Sequence, residues 1–422
     1  MRFTLFLGFF LLSACATRLI KKEGVLPAIE PISVLSVEVE ALPDSVKTVA
    51  ETPIEPPKSV DIMVGAARFD VYLPQIEAKR VGIIVNATSM VSDVHLLDTL
   101  RSLGVNVVKI FAPEHGFRGI ADAGEHVKSG FDVATGVPIV SLYGSHRKPT
   151  PEDLADIDLI IYDIQDVGAR FYTYISTMTL AMEACTENQK PIIVLDRPNP
   201  NGHYVDGPVL KPAYKSFVGM HAVPVVYGMT AAEYAQMICG EHWFPNSEKC
   251  QLSVVSCDNY THATRYVLPV RPSPNLPNSL AIAWYPSLCF FEGTPISVGR
   301  GTDTPFQVFG APELTYGDTY FTPTSREGAK TPPHQGQRCL GFAVNAVERV
   351  NQVDIHYLLT AYAAYPDKAK FFNADHFFDK LAGSDELRKQ LETGATEAEI
   401  RASWQPDLQQ FIGIRAKYLL YK

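Results

Sequence analysis

The sequence predicts an α/β protein: a Rossmann-like, doubly wound, mostly parallel sheet, followed by a second, smaller α+β domain at the C-terminal end. Three observations predict it. Short continuous runs of β-branched and other apolar residues, without polar alternation, mark strands covered on both faces. Segments of helical character separate these runs, as parallel crossovers require. Beyond about Leu314 the pattern changes to short strands and amphipathic helices. Composition agrees, since 46% of the 422 residues are hydrophobic and 20% charged, inside the globular range.

In chain order, RVGIIVN (80–86) reads as a strand, VHLLDTLRSLG (94–104) as a helix and VNVVKIFA (105–112) as a strand. PIVSLYG (138–144), DLIIYDI (158–164) and PIIVLDR (191–197) continue the strands, with helices over PEDLADI (151–157) and from about Tyr172 to Glu187. QLSVVS, between Cys250 and Cys257, is strand-like. The helix expected over Thr230 to Gly240 opens on Thr230 with Glu233 three residues on, the capping-box spacing. From about Asp258 to Gly310 loops dominate, a character more often site-forming than idle in a compact protein. The sheet domain is expected over 61–313 and the smaller domain over 314–422. In the latter, a strand is expected at CLGFAVNAV (339–347) and helices at 353–364, 384–393 and 396–420. The cleft between the two is the default site.

Residues 1–14 read as a signal peptide: Arg2 precedes an apolar run, Thr4 to Leu12, too short to cross a bilayer. The run ends in Leu12-Ser13-Ala14-Cys15, the pattern of a bacterial lipobox, whose Cys is acylated before cleavage ahead of it. Residues 15–60, rich in Pro and Glu and lacking aromatics after Cys15, read as a flexible tether, with VLSVEVEAL as its one candidate edge strand. The expected location is the cell envelope, lipid-anchored. Ala16 after the Cys points to the outer membrane by analogy with lipoprotein sorting.

Lys and Arg number 37 against 46 Asp and Glu, a net charge of −9, which argues against a nucleic-acid partner. Beyond Cys15, six Cys remain, and most are read as buried thiols. An extended QLSVVS holds Cys250 and Cys257 too far apart to bridge. No CxxC or Cys/His spacing suggests zinc, and no GxGxxG, GxxxxGK[ST], GxSxG or HExxH suggests a nucleotide cofactor or those hydrolytic chemistries.

Ligands of open parallel sheets bind outside the carboxyl ends of the strands, so residues just after each strand are candidates. Asn86, the Pro113–Gly119 turn with Glu114, His115 and Arg118, the stretch Asp163–Tyr172 with Asp166 and Arg170, and Asn199 follow strands. Ser273, Asn275, Glu292 and Arg300 come from the loop-rich region. Acids, Arg, amides and aromatics together suit a sugar site with an anion hook. Glycosidic cleavage needs one carboxylic acid to protonate the leaving oxygen and a second group to support the cationic centre. Glu114, Asp163 and Asp166 are the candidate catalytic acids, although Asp163 and Asp166 equally suit a cap or turn. A general acid at Glu114 requires a proton held near neutral pH. Arg118, Arg170, Arg271 and Arg300 are candidate carboxylate hooks. Tyr172, Tyr174 and Trp284 are candidate sugar-stacking rings, or core.

Nine ordered blocks carry a resemblance: APEHGFRG (112–119), VSLYG (140–144), YDIQDVGARFYTYISTM (162–178), LDRPNPNG (195–202), DGPVL (206–210), SFVGM (216–220), GMTAAEYA (228–235), RPSPNLP (271–277) and FEGTPISVGRGTDTPFQVFGAP (291–312). From about Asp61 to Lys422 the chain resembles the DUF1343 family of exo-β-N-acetylmuramidases, glycoside hydrolase family 171, called NamZ. The resemblance implies a Rossmann-like domain with an ancillary domain and a site in their cleft. It further implies release of N-acetylmuramic acid (MurNAc) from non-reducing ends of peptidoglycan fragments, with the Glu of the PEHG block, here Glu114, as the central acid. The chain departs from the family pattern at Asn201-Gly202-His203, where members often read NPxGG, and at Tyr227-Gly228-Met229-Thr230, where they read HGMT. Another peptidoglycan hexosaminidase, an amidase, or a non-catalytic glycan-binding lipoprotein are the competing readings.

Overall fold

The structure, a computed structural model, describes residues 61–114, 116–117, 130–344 and 350–421. The leader, Cys15 and the tether lie outside the described residues, as do His115 and Arg118. The first half contains α1 (Phe69–Ile76), β1 (Val81–Val85), the hairpin β2 (Met90–Val91) and β3 (Val94–His95), α2 (Leu96–Ser102), β4 (Val107–Ala112), β5 (Gly130–Phe131) and β6 (Pro138–Ser141). There follow α3 (Pro151–Leu154), β7 (Leu159–Asp163), α4 (Tyr174–Glu187), β8 (Ile192–Leu195), α5 (Ala231–Gly240) and β9 (Leu252–Val255). The second half has α6 (Ser279–Leu288), β10 (Val308–Ala311), β11 (Thr319–Phe321), β12 (Cys339–Ala343), α7 (His356–Ala364), α8 (Phe377–Ala382), α9 (Glu386–Glu392) and α10 (Glu397–Arg415).

The central sheet runs β5-β6-β4-β1-β7-β8-β9, parallel throughout except for the edge strand β5. Without β5, the order is that of the doubly wound dinucleotide-binding fold, with its switch point between β1 and β7. Alternate residues explain the continuous apolar runs. Ile84, Ile160, Tyr162 and Val194 pack into the core on one face, together with α4 and α5 residues, while Ile83, Val85, Ile161 and Ile193 pack on the other with α1 and α2 residues. Helix α4 is buried almost all round because it lies inside the larger core, and its hydroxyls bond locally, as Thr179 Oγ1 does to Ile175 O at 2.8 Å. A separate antiparallel sheet, β10-β12-β11, carries the smaller α+β part. All six cysteines from Cys185 onward are free thiols, four of them buried.

The capping box at Thr230 forms, with Glu233 Oε2 accepting from Thr230 N at 2.9 Å. Glu233 is fully buried because its other oxygen accepts from the C-terminal Leu420 N at 2.8 Å and pairs with His262. Tyr421 OH donates to Asp196 at the end of β8, at 2.6 Å. Burial pushes the Asp196 carboxyl up to about 7 and that of Asp166 up to about 6. A carboxyl whose pKa is higher in the folded than in the unfolded chain lends most stability at low pH, and loses it as pH rises from about 4 toward the folded value. The melting temperature of the wild type minus that of Asp196→Asn is therefore expected to fall between pH 4 and 7 and to level off above. A pH-independent difference by calorimetry would reject this.

Candidate functional site

A cavity of about 680 Å³ opens near the carboxyl ends of the central strands, within the roughly 300–1,000 Å³ of ligand pockets. Glu114 reaches it from the turn that follows β4. Gly116 N donates to Pro113 O at 3.0 Å and Gly116 has φ of +75°, a conformation that suits glycine, so the chain turns here and Glu114 is not drawn into a helix. Thr173, at the N-cap of α4, makes no capping bond with its side chain. Its hydroxyl donates instead to Glu114 Oε2 at 2.9 Å, beside the positive end of a 14-residue helix.

An aromatic wall adjoins Glu114. Tyr172 and Tyr174 meet edge to face at 4.8 Å, and Tyr172 meets Tyr285 at 5.7 Å. Tyr172 OH donates to Pro272 O at 2.8 Å, which anchors the RPSPNLP loop. From that loop Ser273 and Asn275 line the cavity, Asn275 donating to Gly328 O at 2.7 Å. The lining also includes Glu292, on the 3₁₀ turn after α6, and Arg300, whose Nε donates to Glu292 at 2.7 Å and whose guanidinium lies over Phe306. Phe217, Lys330 and Lys380 complete the rim with Arg147.

The structure thus brings Glu114, Tyr172, Ser273, Asn275, Glu292 and Arg300 to one cavity. The other described candidates do not reach its lining, each for a visible reason. Asp163 is fully buried in a two-point pair with Arg197, at 2.6 and 2.9 Å. Asp166 is buried and accepts from Gly168 N and Tyr227 OH. Arg170 is no hook: it is fully buried and donates to the carbonyls of Pro208, Val223 and Leu381, each at 2.7 Å. Asn199 donates to Met229 O and accepts from Asn201 N, and sits so close to Gly168 that a Cβ there would come within 2.3 Å of its amide. Asn86 accepts from Thr88 and bonds Tyr174, a residue of the cavity wall. Arg271 pairs with Glu327 at the surface, and Trp284 lies in the core against Tyr357.

The cavity also draws on residues that the sequence does not single out, among them Thr173, Phe217, Tyr285, Arg147, Lys330 and Lys380. Thr173 stood next to the quoted Tyr172, and Phe217 lay in a quoted block. Lys330 and Lys380 belong to segments with no motif at all.

A doubly wound sheet that sets a carboxylate, hydrogen-bonding amides and a tyrosine wall around a cavity near its strand ends defines a carbohydrate-active α/β enzyme. The chain belongs to the family described as exo-beta-N-acetylmuramidase NamZ: residues 81–280 match its N-terminal part and 283–421 its C-terminal part. It is 39% identical over 380 residues to the peptidoglycan beta-N-acetylmuramidase NamZ of Bacillus subtilis (strain 168), an alignment covering 83% of this chain and 89% of that protein. Two crystal structures of DUF1343 family proteins from Bacteroides fragilis NCTC 9343 are similar to it. One has a TM-score of 0.79 at 46% identity and the other 0.73 at 32%, each covering 86% of this chain and 99% of its own.

Proposed function

We propose that this chain is an exo-acting glycoside hydrolase that releases N-acetylmuramic acid from the non-reducing ends of peptidoglycan fragments such as MurNAc-GlcNAc, in cell-wall turnover or recycling. The observation that carries this reading is Glu114: a carboxylate held by Thr173 at the wall of a tyrosine-rich cavity, in a chain of the NamZ family. In the reaction Glu114 protonates the glycosidic oxygen as the bond to the anomeric carbon breaks. Tyr172, Tyr174 and Tyr285 offer ring surface to the sugar, and Ser273 and Asn275 offer hydrogen bonds. Among the described residues Glu292 is the other carboxylate lining the cavity, and its charge is compensated by its pair with Arg300. Incubating the purified protein with MurNAc-GlcNAc should release both monosaccharides. Their absence, with no turnover of a chromogenic MurNAc glycoside, would refute the proposal.

The lipobox-like Leu12-Ser13-Ala14-Cys15 supports a second proposal, that the mature chain is held on the cell envelope by acyl chains on Cys15, facing the periplasm or outer membrane. Several chains on one residue anchor durably, where a single one binds only marginally. Among the described residues no helix is long and apolar enough to cross a membrane. Cys15→Ser should move the protein from the detergent phase to the aqueous phase on phase partitioning. A variant still in the detergent phase would overturn the anchor.

A further inference from the structure

Cleavage of the glycosidic bond by Glu114 gives no role to the cations that line the cavity. Arg300 is tied to Glu292, and Arg170 is enclosed by three carbonyls, so neither is available to a ligand anion. Three other cations line the same cavity from three separate segments. Arg147 follows β6, Lys330 lies in the stretch between β11 and β12, and Lys380 is on α8. Arg147 and Lys380 are exposed, and hence within reach of a ligand. Arg147 lies over the Phe217 ring at 4.4 Å, a contact that positions its guanidinium and leaves its N–H edge available. Among the described residues neither Arg147 nor Lys380 has a carboxylate partner in an ion pair. The chain carries a net charge of −9, so three cations converging on one cavity run against its overall balance. Positive charge focused at a cavity mouth in an acidic protein is what an anionic ligand requires.

We infer that Arg147 and Lys380, with Lys330 beside them, form a carboxylate-recognition rim that selects acidic over neutral sugars. The inference rests on the proposed glycan-hydrolase reading and adds the ligand group that the rim reads. Two carboxylates have the required chemistry: the lactyl ether of a muramic residue, and the acidic residues of a peptide attached to it. No covalent step is involved. The rim acts on binding and orientation, whereas Glu114 acts on the bond.

The test compares binding of three probes, GlcNAc, MurNAc and MurNAc-L-Ala-D-Glu, to the full-length protein and to Arg147→Met, Lys380→Met and the double variant, by calorimetry at low and high salt. Exposed ion pairs support a preference of about two- to fivefold for each cation, so the double variant should lose roughly tenfold of the preference for the acidic probe. GlcNAc binding should stay unchanged, and the wild-type preference should shrink as salt rises. If the lactyl group is read, the MurNAc-to-GlcNAc ratio collapses. If the peptide is read, that ratio persists and the peptide-to-MurNAc ratio collapses. Either result supports the rim. If both ratios are unchanged in the folded double variant, the rim is refuted. Failure of the wild type to cleave MurNAc-GlcNAc would strike the hydrolase proposal instead, because binding and turnover are read separately.

Discussion

Glu114→Gln should lower the rate of MurNAc-GlcNAc hydrolysis by about 10²–10⁴ while leaving ligand binding nearly intact. The amide keeps the size of the side chain and can still accept from the Thr173 hydroxyl that bonds Oε2 at 2.9 Å, so the turn and the start of α4 should hold. What it lacks is a transferable proton, and loss of general acid–base assistance costs about that factor. Thermal melting and MurNAc titration establish that the variant is folded and loaded, and single-turnover rates then read the chemistry alone. A folded, ligand-binding variant that hydrolyses at the wild-type rate would remove Glu114 from the mechanism. The acid role would then fall to Glu292, the other carboxylate on the cavity wall among the described residues.

The strands of the central sheet were legible because each is buried on both faces, and a fully buried strand leaves an unbroken apolar run in the sequence. Elements of weaker pattern were not. Helix α6 contains Pro286 and is apolar nearly all round, so it has no clear period and its sequence resembles a loop. Helix α8 is six residues long, too short for a period to emerge, so nothing in the sequence marks Lys380. Strand β10 begins at Val308, inside a stretch read as loop, because its partner β12 is distant in sequence. Among site residues, Glu114 was legible from its place between a buried strand and a Pro-x-x-Gly turn. Arg300 lines the cavity as its sequence suggests, but Arg170 does not, since a guanidinium that ties down carbonyls and one that grips a substrate are the same letter. Only burial separates Arg170 from Arg147.

The largest expected loss of stability is at Arg197. Its guanidinium pairs with Asp163 at two points and also donates to Met90 O, joining β7, the loop after β8 and the β2–β3 hairpin below the switch point. Both side chains are almost wholly buried, at 3% and 0% exposure. Arg197→Met would leave the Asp163 carboxylate without its counter-charge in the interior, and breaking a buried pair in this way costs about 3–5 kcal/mol. A large fall in the urea midpoint is therefore expected. Adding Asp163→Asn removes the stranded charge and should recover much of the loss, because replacing both partners of a buried pair is often close to neutral. An unchanged midpoint in Arg197→Met would show that the pair does not hold the sheet ends together. The double variant also separates architecture from chemistry at Asp163, a residue that its position after a strand makes a candidate acid but that the structure keeps off the cavity wall. If Asp163 acts only through packing, the refolded double variant should hydrolyse MurNAc-GlcNAc within a few-fold of wild type. A drop of a hundredfold or more in a double variant with wild-type melting and MurNAc binding would return Asp163 to the catalytic machinery.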